Sequence, residues 1–175
     1  MERAIVILAA GRGKRMNSGI PKVLHKIAGA PMIMHTLRTA KTLDPERVIV
    51  ITGHGAERVE KEISEIEPEI GFVRQIEQKG TGHAVKCAEK ILKDFTGNTL
   101  ILYGDVPFIS PETLQSLKGK SGESLQQMVG DKNLMQAMRR SQELLTQIAQ
   151  AEQGHEENLI SVAIDIVQQV YPIIG

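Results

Sequence analysis

The stretch AIVILAAGRGKRMNSGIPKVLHK, residues 4–26, decides the fold class, because a continuous apolar run changes abruptly into a loop of glycine and positive charge. The run AIVIL at 4–8 has no polar position, which is typical of a strand buried on both faces of a parallel sheet. The loop after it carries Gly11 and Gly13, interleaved with basic side chains. Parallel sheets bind ligands beyond the carboxyl ends of their strands, so this basic loop is a candidate site.

Three further apolar, β-branched runs predict strands: RVIVIT at 47–52, IGFVRQ at 70–75 and NTLILY at 98–103. We expect the runs at 47–52 and 98–103 to be buried on both faces, as the first one is. Helical patterns alternate with the strands, at about 31–43, 56–66 and 82–94. Ser110-Pro111-Glu112 predicts the start of another helix, which runs to about Leu117. This alternation predicts an α/β fold, a Rossmann-like parallel sheet with flanking helices.

Composition and charge exclude several classes of function. The 175 residues are 41% hydrophobic, which suits one compact domain or a domain with an appendage. Lys plus Arg equals Asp plus Glu at 21 each, so the chain lacks the broad positive field of a nucleic-acid-binding protein. The first apolar run is too short to span a bilayer, and a single cysteine, Cys87, cannot form an internal disulfide. We therefore expect a cytoplasmic protein with no membrane or nucleic-acid partner.

The sequence changes character after residue 117, and we predict a domain boundary there. Residues 118–131, which begin KGKSGES, are predicted to be a linker. Helical spacing on either side of Gly154 predicts a helical hairpin over 132–175, a tail of unknown role. Its second helix is apolar around more than half of its circumference and has to be covered. Pairing of two tails into a homodimer is the favoured solution, and packing onto the sheet edge is the alternative.

The glycine loop matches neither of the two common nucleotide-binding motifs. Met16 stands where the dinucleotide fingerprint has its third glycine, and the G-x-x-x-x-G-K-[ST] phosphate loop is absent. Glycine nevertheless lets backbone N–H groups approach an anion, and a nest of such groups with two or three cations can hold a triphosphate. A solvent-exposed basic turn is the alternative interpretation of these residues alone.

A carboxylate follows the strand at 98–103, where the chain reads LILYGDVPFIS. If that strand is parallel to the first, Asp105 lies at the same sheet edge as the glycine loop. Magnesium is held by one or two carboxylates together with phosphate oxygens, so Asp105 is a candidate magnesium ligand. An ordinary turn is the alternative.

The stretch RQIEQKGTGHAVKCAEK, residues 74–90, supplies polar groups of another kind. Gln75 leaves the edge of a strand, and Gly80-Thr81-Gly82 stands at a helix start. Amide and backbone groups there could pair with the edge of a nucleobase, and a wrong base would leave buried groups unpaired. Capping of the helix by Thr81 is the alternative.

Three motifs in this order and spacing, LAAGRGKRMNSGIPKVLHKIAG, GTGHAV and LYGDVPFIS, resemble the sugar-phosphate nucleotidyltransferase family. Together they are most similar to the uridyltransferase domain of bacterial N-acetylglucosamine-1-phosphate uridyltransferase. The resemblance covers residues 1 to about 117. It implies transfer of UMP from UTP to N-acetylglucosamine 1-phosphate with Mg²⁺, which gives UDP-N-acetylglucosamine and pyrophosphate.

The resemblance also implies roles for individual residues. Arg15 and Lys22 would lie near the phosphates, Asp105 corresponds to a magnesium ligand, and these three would be catalytic. Gln75, Gly80 and Thr81 match the positions that recognise uracil. The full set of implied nucleotide-binding residues is Leu8, Ala9, Ala10, Gly11, Gly13, Lys22, Gln75, Gly80, Thr81, Tyr103 and Gly104.

The sequence departs from the family pattern after Lys118. The family continues with strands that contact the acceptor sugar and with a late asparagine as second magnesium ligand, and we find no equivalent here. The hexapeptide-repeat acetyltransferase part is absent too. We therefore expect a truncated nucleotide-binding half joined to the helical tail. Beside a working uridyltransferase, two alternatives stay open: a remnant that holds UTP and magnesium without efficient turnover, and a scaffold that self-associates through its tail.

Overall fold

A computed structural model describes residues 2–13 and 18–116 of the chain. The predicted tail, its linker and its pairing into a homodimer therefore lie outside the described residues. In chain order, the elements are β1 (Arg3–Leu8), a 3₁₀ turn (Lys22–Leu24), β2 (Lys26–Ile27), β3 (Ala30–Pro31), α1 (Met32–Lys41), β4 (Arg47–Thr52), α2 (Ala56–Ser64), β5 (Gly71–Arg74), α3 (Thr81–Cys87), α4 (Glu89–Leu92), β6 (Asn98–Tyr103) and α5 (Pro111–Ser116).

Four strands form one parallel sheet in the order β5-β4-β1-β6. The chain moves outward from β1 to β4 and β5, and then returns to the other side of β1 to form β6. Val6 on β1 consequently pairs with Ile49 on one side and with Ile101 on the other. The predicted Rossmann-like parallel sheet is confirmed. The order in which strands are added reverses between β1 and β6, although all four strands stay parallel. Doubly wound sheets bind ligands in the crevice beyond such a switch point.

Helices cover both faces of the sheet. On one face, α1, α2 and α5 bury apolar side chains against the odd-numbered positions of β1; this layer includes Ile5, Ile7, Ile33, Leu37, Val59, Ile63 and Leu114. On the other face, α3 and the start of α4 lie over β1 and β4; this layer includes Val6, Leu8, Ile49, Ile51, Ala84 and Ala88. The prediction that β1 is buried on both faces is right, and it holds for the last four residues of β4.

The same prediction is wrong for β6, because the described residues cover only one of its faces. Leu102 is buried, but Ile101 is 41% and Tyr103 is 44% exposed. Through their pairing with Val6 and Leu8, these two side chains lie on the α3 face of the sheet. Within the described residues, α3 and α4 cover that face over β1 and β4 and leave β6 open. An apolar run therefore indicates a strand but does not distinguish a central strand from an edge strand.

Two local features differ from the sequence prediction. A small antiparallel hairpin, β2 and β3, was not expected; its two turn residues, Ala28 and Gly29, have φ angles of 49° and 80°, as a type I′ turn requires. The single helix predicted over 82–94 is divided at Ala88, whose N–H bonds to Val85 three residues earlier. Among the described residues, no helix is both long and apolar enough to cross a membrane.

Candidate nucleotide-binding site

A cavity of about 290 Å³ opens beyond the carboxyl ends of β1 and β6. Its wall combines the loop after β1, the 3₁₀ turn, the loop after β5, the start of α3 and the end of β6. The lining residues are Leu8, Ala9, Ala10, Gly11, Lys22, Val23, Gln75, Gln78, Gly80, Thr81, Ala84, Tyr103 and Asp105. Every nucleotide-binding residue predicted from the sequence lines this cavity except Gly13 and Gly104.

Lys22 and Asp105 form the charged end of the cavity. The Nζ of Lys22 donates a hydrogen bond to Oδ2 of Asp105 over 2.5 Å, although the residues are 83 positions apart in sequence. Lys22 begins the 3₁₀ turn and Asp105 follows β6, so the ion pair links these two segments beyond the carboxyl ends of the strands. Their side chains are 27% and 29% exposed, which leaves both charges within reach of a ligand.

The loop after β1 is held in place through the carbonyl group of Ala10. This oxygen accepts hydrogen bonds from the backbone N–H of His54 and from Nε2 of Gln78, the latter over 3.0 Å. Because a trans peptide directs its C=O and N–H to opposite sides, the N–H of Gly11 points away from both donors. No described residue accepts a hydrogen bond from that N–H, so it is available to an anion.

The two predicted glycines that do not line the cavity lie against residues that do. A Cβ at Gly13, whose φ is +58°, would lie 2.9 Å from the Cβ of Lys22. A Cβ at Gly104 would lie 3.2 Å from the carbonyl oxygen of Leu8, to which the N–H of Gly104 donates a hydrogen bond. Both glycines therefore contact residues that line the cavity. Arg15, predicted to be catalytic, lies outside the described residues. Arg12 lines a neighbouring cavity, which shares Gln75 and Gln78 with this one.

Gln75, Gly80 and Thr81 form the opposite, polar end of the cavity. Gln75 is buried, with 4% of its surface exposed, and its backbone N–H bonds to the carbonyl of Thr52 at the end of β4. Its Nε2 donates to the carbonyl oxygen of Gly80 over 3.0 Å and lies 3.1 Å from Nδ1 of His83. A buried amide with fixed partners is suited to reading the hydrogen-bonding edge of a base.

Three lining residues were missed by the sequence analysis: Val23, Gln78 and Ala84. Val23 and Ala84 carry no chemical signal, because apolar side chains serve equally well as core or as cavity wall. Gln78 could have been found, since it is a second amide three positions after Gln75 in the same polar loop. Its hydrogen bond to the carbonyl of Ala10 ties the polar end of the cavity to the glycine loop.

Asp105 suits a cation that arrives with its own oxygen ligands. Among the described residues there is no group of three or more His, Cys, Asp or Glu side chains that could hold a metal ion by themselves. A single carboxylate fits Mg²⁺ only together with ligands from a substrate, since this ion is commonly bound by one or two carboxylates and substrate phosphates.

A charged network supports the strand ends next to Gln75. Glu60 on α2 accepts a hydrogen bond of 2.6 Å from the hydroxyl of Thr52, and its two oxygens accept bonds of 2.9 and 2.6 Å from Arg74. The hydrogen bonds from Arg74 outweigh partial burial and, with that from Thr52, lower the pKa of the Glu60 carboxyl below its ordinary value. The network thus ties α2 to the carboxyl ends of β4 and β5.

With this geometry in place, comparison with known proteins identifies the family. A family model described as the MobA-like NTP transferase domain matches residues 5–167. The chain belongs to this family. The bifunctional protein GlmU of Dinoroseobacter shibae is 55% identical to this MobA-like domain over 115 residues, which is 66% of the chain and 26% of the relative. GlmU of Ruegeria sp. is 55% identical over 117 residues. The resemblance inferred from the three motifs is confirmed.

Solved structures agree with the fold of this MobA-like domain. A nucleotidyl transferase from Methanothermobacter superposes with a TM-score of 0.53 at 26% identity, covering 66% of this chain and 56% of that one. Rv0371c from Mycobacterium tuberculosis has the same fold, with a TM-score of 0.56 at 23% identity over 67% and 59% of the two chains. The chain spans about a quarter of the length of its curated relatives. The domain boundary predicted at residue 117 stays a prediction.

Proposed function

We propose that this MobA-like domain is a nucleotidyltransferase that transfers UMP from UTP to N-acetylglucosamine 1-phosphate. One observation carries the proposal: a single cavity has the Lys22–Asp105 pair and a free backbone N–H at one end and the buried Gln75 amide at the other. A nucleoside triphosphate has the same polarity, with anionic phosphates at one end and a hydrogen-bonding base at the other.

At the phosphate end, the Lys22 ammonium and the N–H of Gly11 would bind phosphate oxygens. Hydrogen bonds to charged groups contribute about 1.5 to 3 kcal/mol each, so a few of them suffice for micromolar affinity. Asp105 would hold the Mg²⁺ ion, which supplies neutralisation of phosphate charge when bound. Lys22 would be released from Asp105 to the phosphates as the nucleotide enters.

In the proposed reaction, a phosphate oxygen of the sugar 1-phosphate attacks the α-phosphorus of UTP in line. The new P–O bond forms as the bond from the α-phosphorus to the bridging oxygen breaks, and pyrophosphate leaves with that oxygen. No protein nucleophile is required, so the residues act by positioning the reactants and by stabilising charge. Lys22 serves both purposes, since a cation that holds the phosphates also offsets the charge that builds up on the leaving group.

The identity of about 55% with proteins named GlmU supports a nucleotidyltransferase over a scaffold protein. The choice of UTP and N-acetylglucosamine 1-phosphate rests on the resemblance of the three sequence motifs. The nucleotidyl transferase from Methanothermobacter, at 26% identity, supports the same class of chemistry.

The test is pyrophosphate release from UTP and N-acetylglucosamine 1-phosphate with Mg²⁺, measured beside UTP binding. UTP with Mg²⁺ should raise the melting temperature, because a ligand that binds only the folded state stabilises it by RT ln(1 + [L]/Kd). Binding with pyrophosphate release supports the transferase, whereas binding without release supports the nucleotide-holding remnant. A melting curve that millimolar UTP leaves unmoved, or that ATP shifts equally, would contradict the proposal.

A further inference from the structure

The side-chain amide of Gln75 is held at both of its hydrogens. Nε2 donates one hydrogen bond of 3.0 Å to the carbonyl oxygen of Gly80 and contacts Nδ1 of His83 at 3.1 Å. A carbonyl oxygen can only accept, so the group facing Gly80 has to be the NH₂ of the amide. The second hydrogen is then directed to His83, whose Nδ1 accepts it and whose ring proton therefore resides on Nε2.

This arrangement leaves the carbonyl oxygen Oε1 as the remaining polar group of the Gln75 side chain. No described residue donates a hydrogen bond to it, while Gln75 lines the cavity. The amide therefore offers an acceptor, and not a donor, to whatever base enters. Uracil presents a ring N3–H donor, which complements an acceptor, whereas cytosine presents an unprotonated N3, which repels one.

Both anchors of the amide belong to α3. Gly80 is the N-cap of this helix, and its carbonyl oxygen also accepts a hydrogen bond of 3.1 Å from the N–H of Ala84. His83 is half-buried on α3, directly before Ala84, which is 3% exposed and packs against the sheet. Since α3 is fixed by this packing, both anchors tie the amide to the core of the domain, and His83 is the one whose side chain a substitution can remove.

We propose that His83 is a positioning residue for nucleobase selection, which fixes the Gln75 amide so that its carbonyl oxygen faces the base. This inference rests on the proposed function. It adds the residue by which the site selects uracil over cytosine. Without the His83 acceptor, only the bond to Gly80 opposes rotation of the amide about its terminal bond, and the carbonyl oxygen is directed less strictly at the base. UTP binding weakens and CTP binding improves, so the loss appears in the ratio of the two affinities.

Calorimetric titration of the full chain with UTP and with CTP, in the presence of Mg²⁺, tests this. The wild-type protein should bind UTP at least about tenfold more tightly than CTP, because CTP leaves an acceptor unpaired. His83→Ala should reduce that ratio about three- to tenfold, which corresponds to one neutral hydrogen bond. His83→Asn should restore it to within about twofold, because Asn Oδ1 can accept from Nε2 of Gln75 as Nδ1 does.

His54→Ala is the matched control, since His54 is an exposed histidine that does not line the cavity of the proposed site. It should leave the ratio unchanged. Melting curves identify any variant that fails to fold, and His83→Phe is the second loss variant if His83→Ala does. If His83 served stability alone, its loss would weaken the binding of UTP and CTP equally. An unchanged ratio of the two affinities in the loss variants therefore overturns the inference and leaves the proposed function standing. A wild-type chain that binds neither nucleotide overturns both.

Discussion

The Nζ of Lys22 lies 2.5 Å from Oδ2 of Asp105, so the cation predicted for the phosphates and the carboxylate predicted for the metal neutralise each other. More than a quarter of each side chain is exposed, and ion pairs open to water contribute little stability. Lys22 and Asp105 can therefore each exchange the other for a ligand at a small cost in free energy. Lys22 would then bind a nucleotide phosphate, and Asp105 would bind a divalent cation.

Replacement of Lys22 by alanine should weaken UTP binding about ten- to a hundredfold, because one hydrogen bond between charged groups is lost. Isothermal titration with UTP and Mg²⁺ measures the change. Arg38→Ala is the control, since Arg38 is an exposed cation on α1 that does not line the cavity. Equal losses in the two variants would mean that the basic residues act only as a diffuse field.

The same variant should bind a divalent cation more tightly when no nucleotide is present. In the wild type, a cation that approaches Asp105 has to displace the Lys22 ammonium, and this competition disappears in Lys22→Ala. Titration with Mn²⁺, followed by electron paramagnetic resonance, should show an affinity several-fold above that of the wild type. If the two proteins bind Mn²⁺ equally, the ion pair does not compete with the metal.

Asp105→Asn keeps the size of the side chain and removes the charge that would hold the metal. If the chain turns over, pyrophosphate release with Mg²⁺ should fall on the order of a hundredfold or more. Glu112→Gln is a matched control, because this exposed carboxylate on α5 does not line the cavity. Turnover that survives in Asp105→Asn would rule out Asp105 as a metal ligand.

The sequence predicts the elements of the fold more completely than it predicts their surroundings. Strand runs and helix periodicity are local, and so β1, β4, β5 and β6 could be found with their order of alternation. Whether a strand has neighbours is not local, and for this reason the exposed face of Ile101 and Tyr103 was missed.

The candidate site follows the same rule. Motifs identified Lys22 and Asp105 separately, but their contact spans 83 positions and depends on the sheet order. A glycine in a motif indicates that another group approaches the backbone closely. It does not indicate whether that group belongs to a ligand or to the protein itself. At Gly104 the neighbour is the carbonyl of Leu8, and at Gly13 it is the side chain of Lys22. Neither glycine lines the cavity, and their contact with a nucleotide stays a prediction.

Glu60→Gln should lower the melting temperature by a few degrees at pH 7, because it weakens the bonds to Arg74 and Thr52. The pKa of Glu60 is lowered in the folded state, so its contribution is fully present above the ordinary carboxyl range and is lost as the pH falls through the lowered pKa. The difference between variant and wild type should therefore shrink from about pH 4 downwards. A difference that is constant with pH would assign the effect to packing.

Gly11→Ala should separate the requirements of the ligand from those of the fold. A Cβ at Gly11 would have no atom of the described residues within 4 Å, and Gly11 has no positive φ, so the substitution creates neither a clash with them nor backbone strain. Gly11 nevertheless lines the cavity, and its N–H is the group that we expect to contact a phosphate.

The added methyl group should therefore leave the melting temperature of the free protein unchanged while it hinders the close approach of the triphosphate to the backbone. We expect UTP affinity to fall at least about tenfold, a loss of the size of one hydrogen bond to a charged group. Gly19→Ala is the matched control, since Gly19 is equally open, without a positive φ, and does not line the cavity. If Gly11→Ala binds UTP as the wild type does, the phosphates do not lie against the loop after β1, and the anionic end of the ligand has to be placed elsewhere in the cavity.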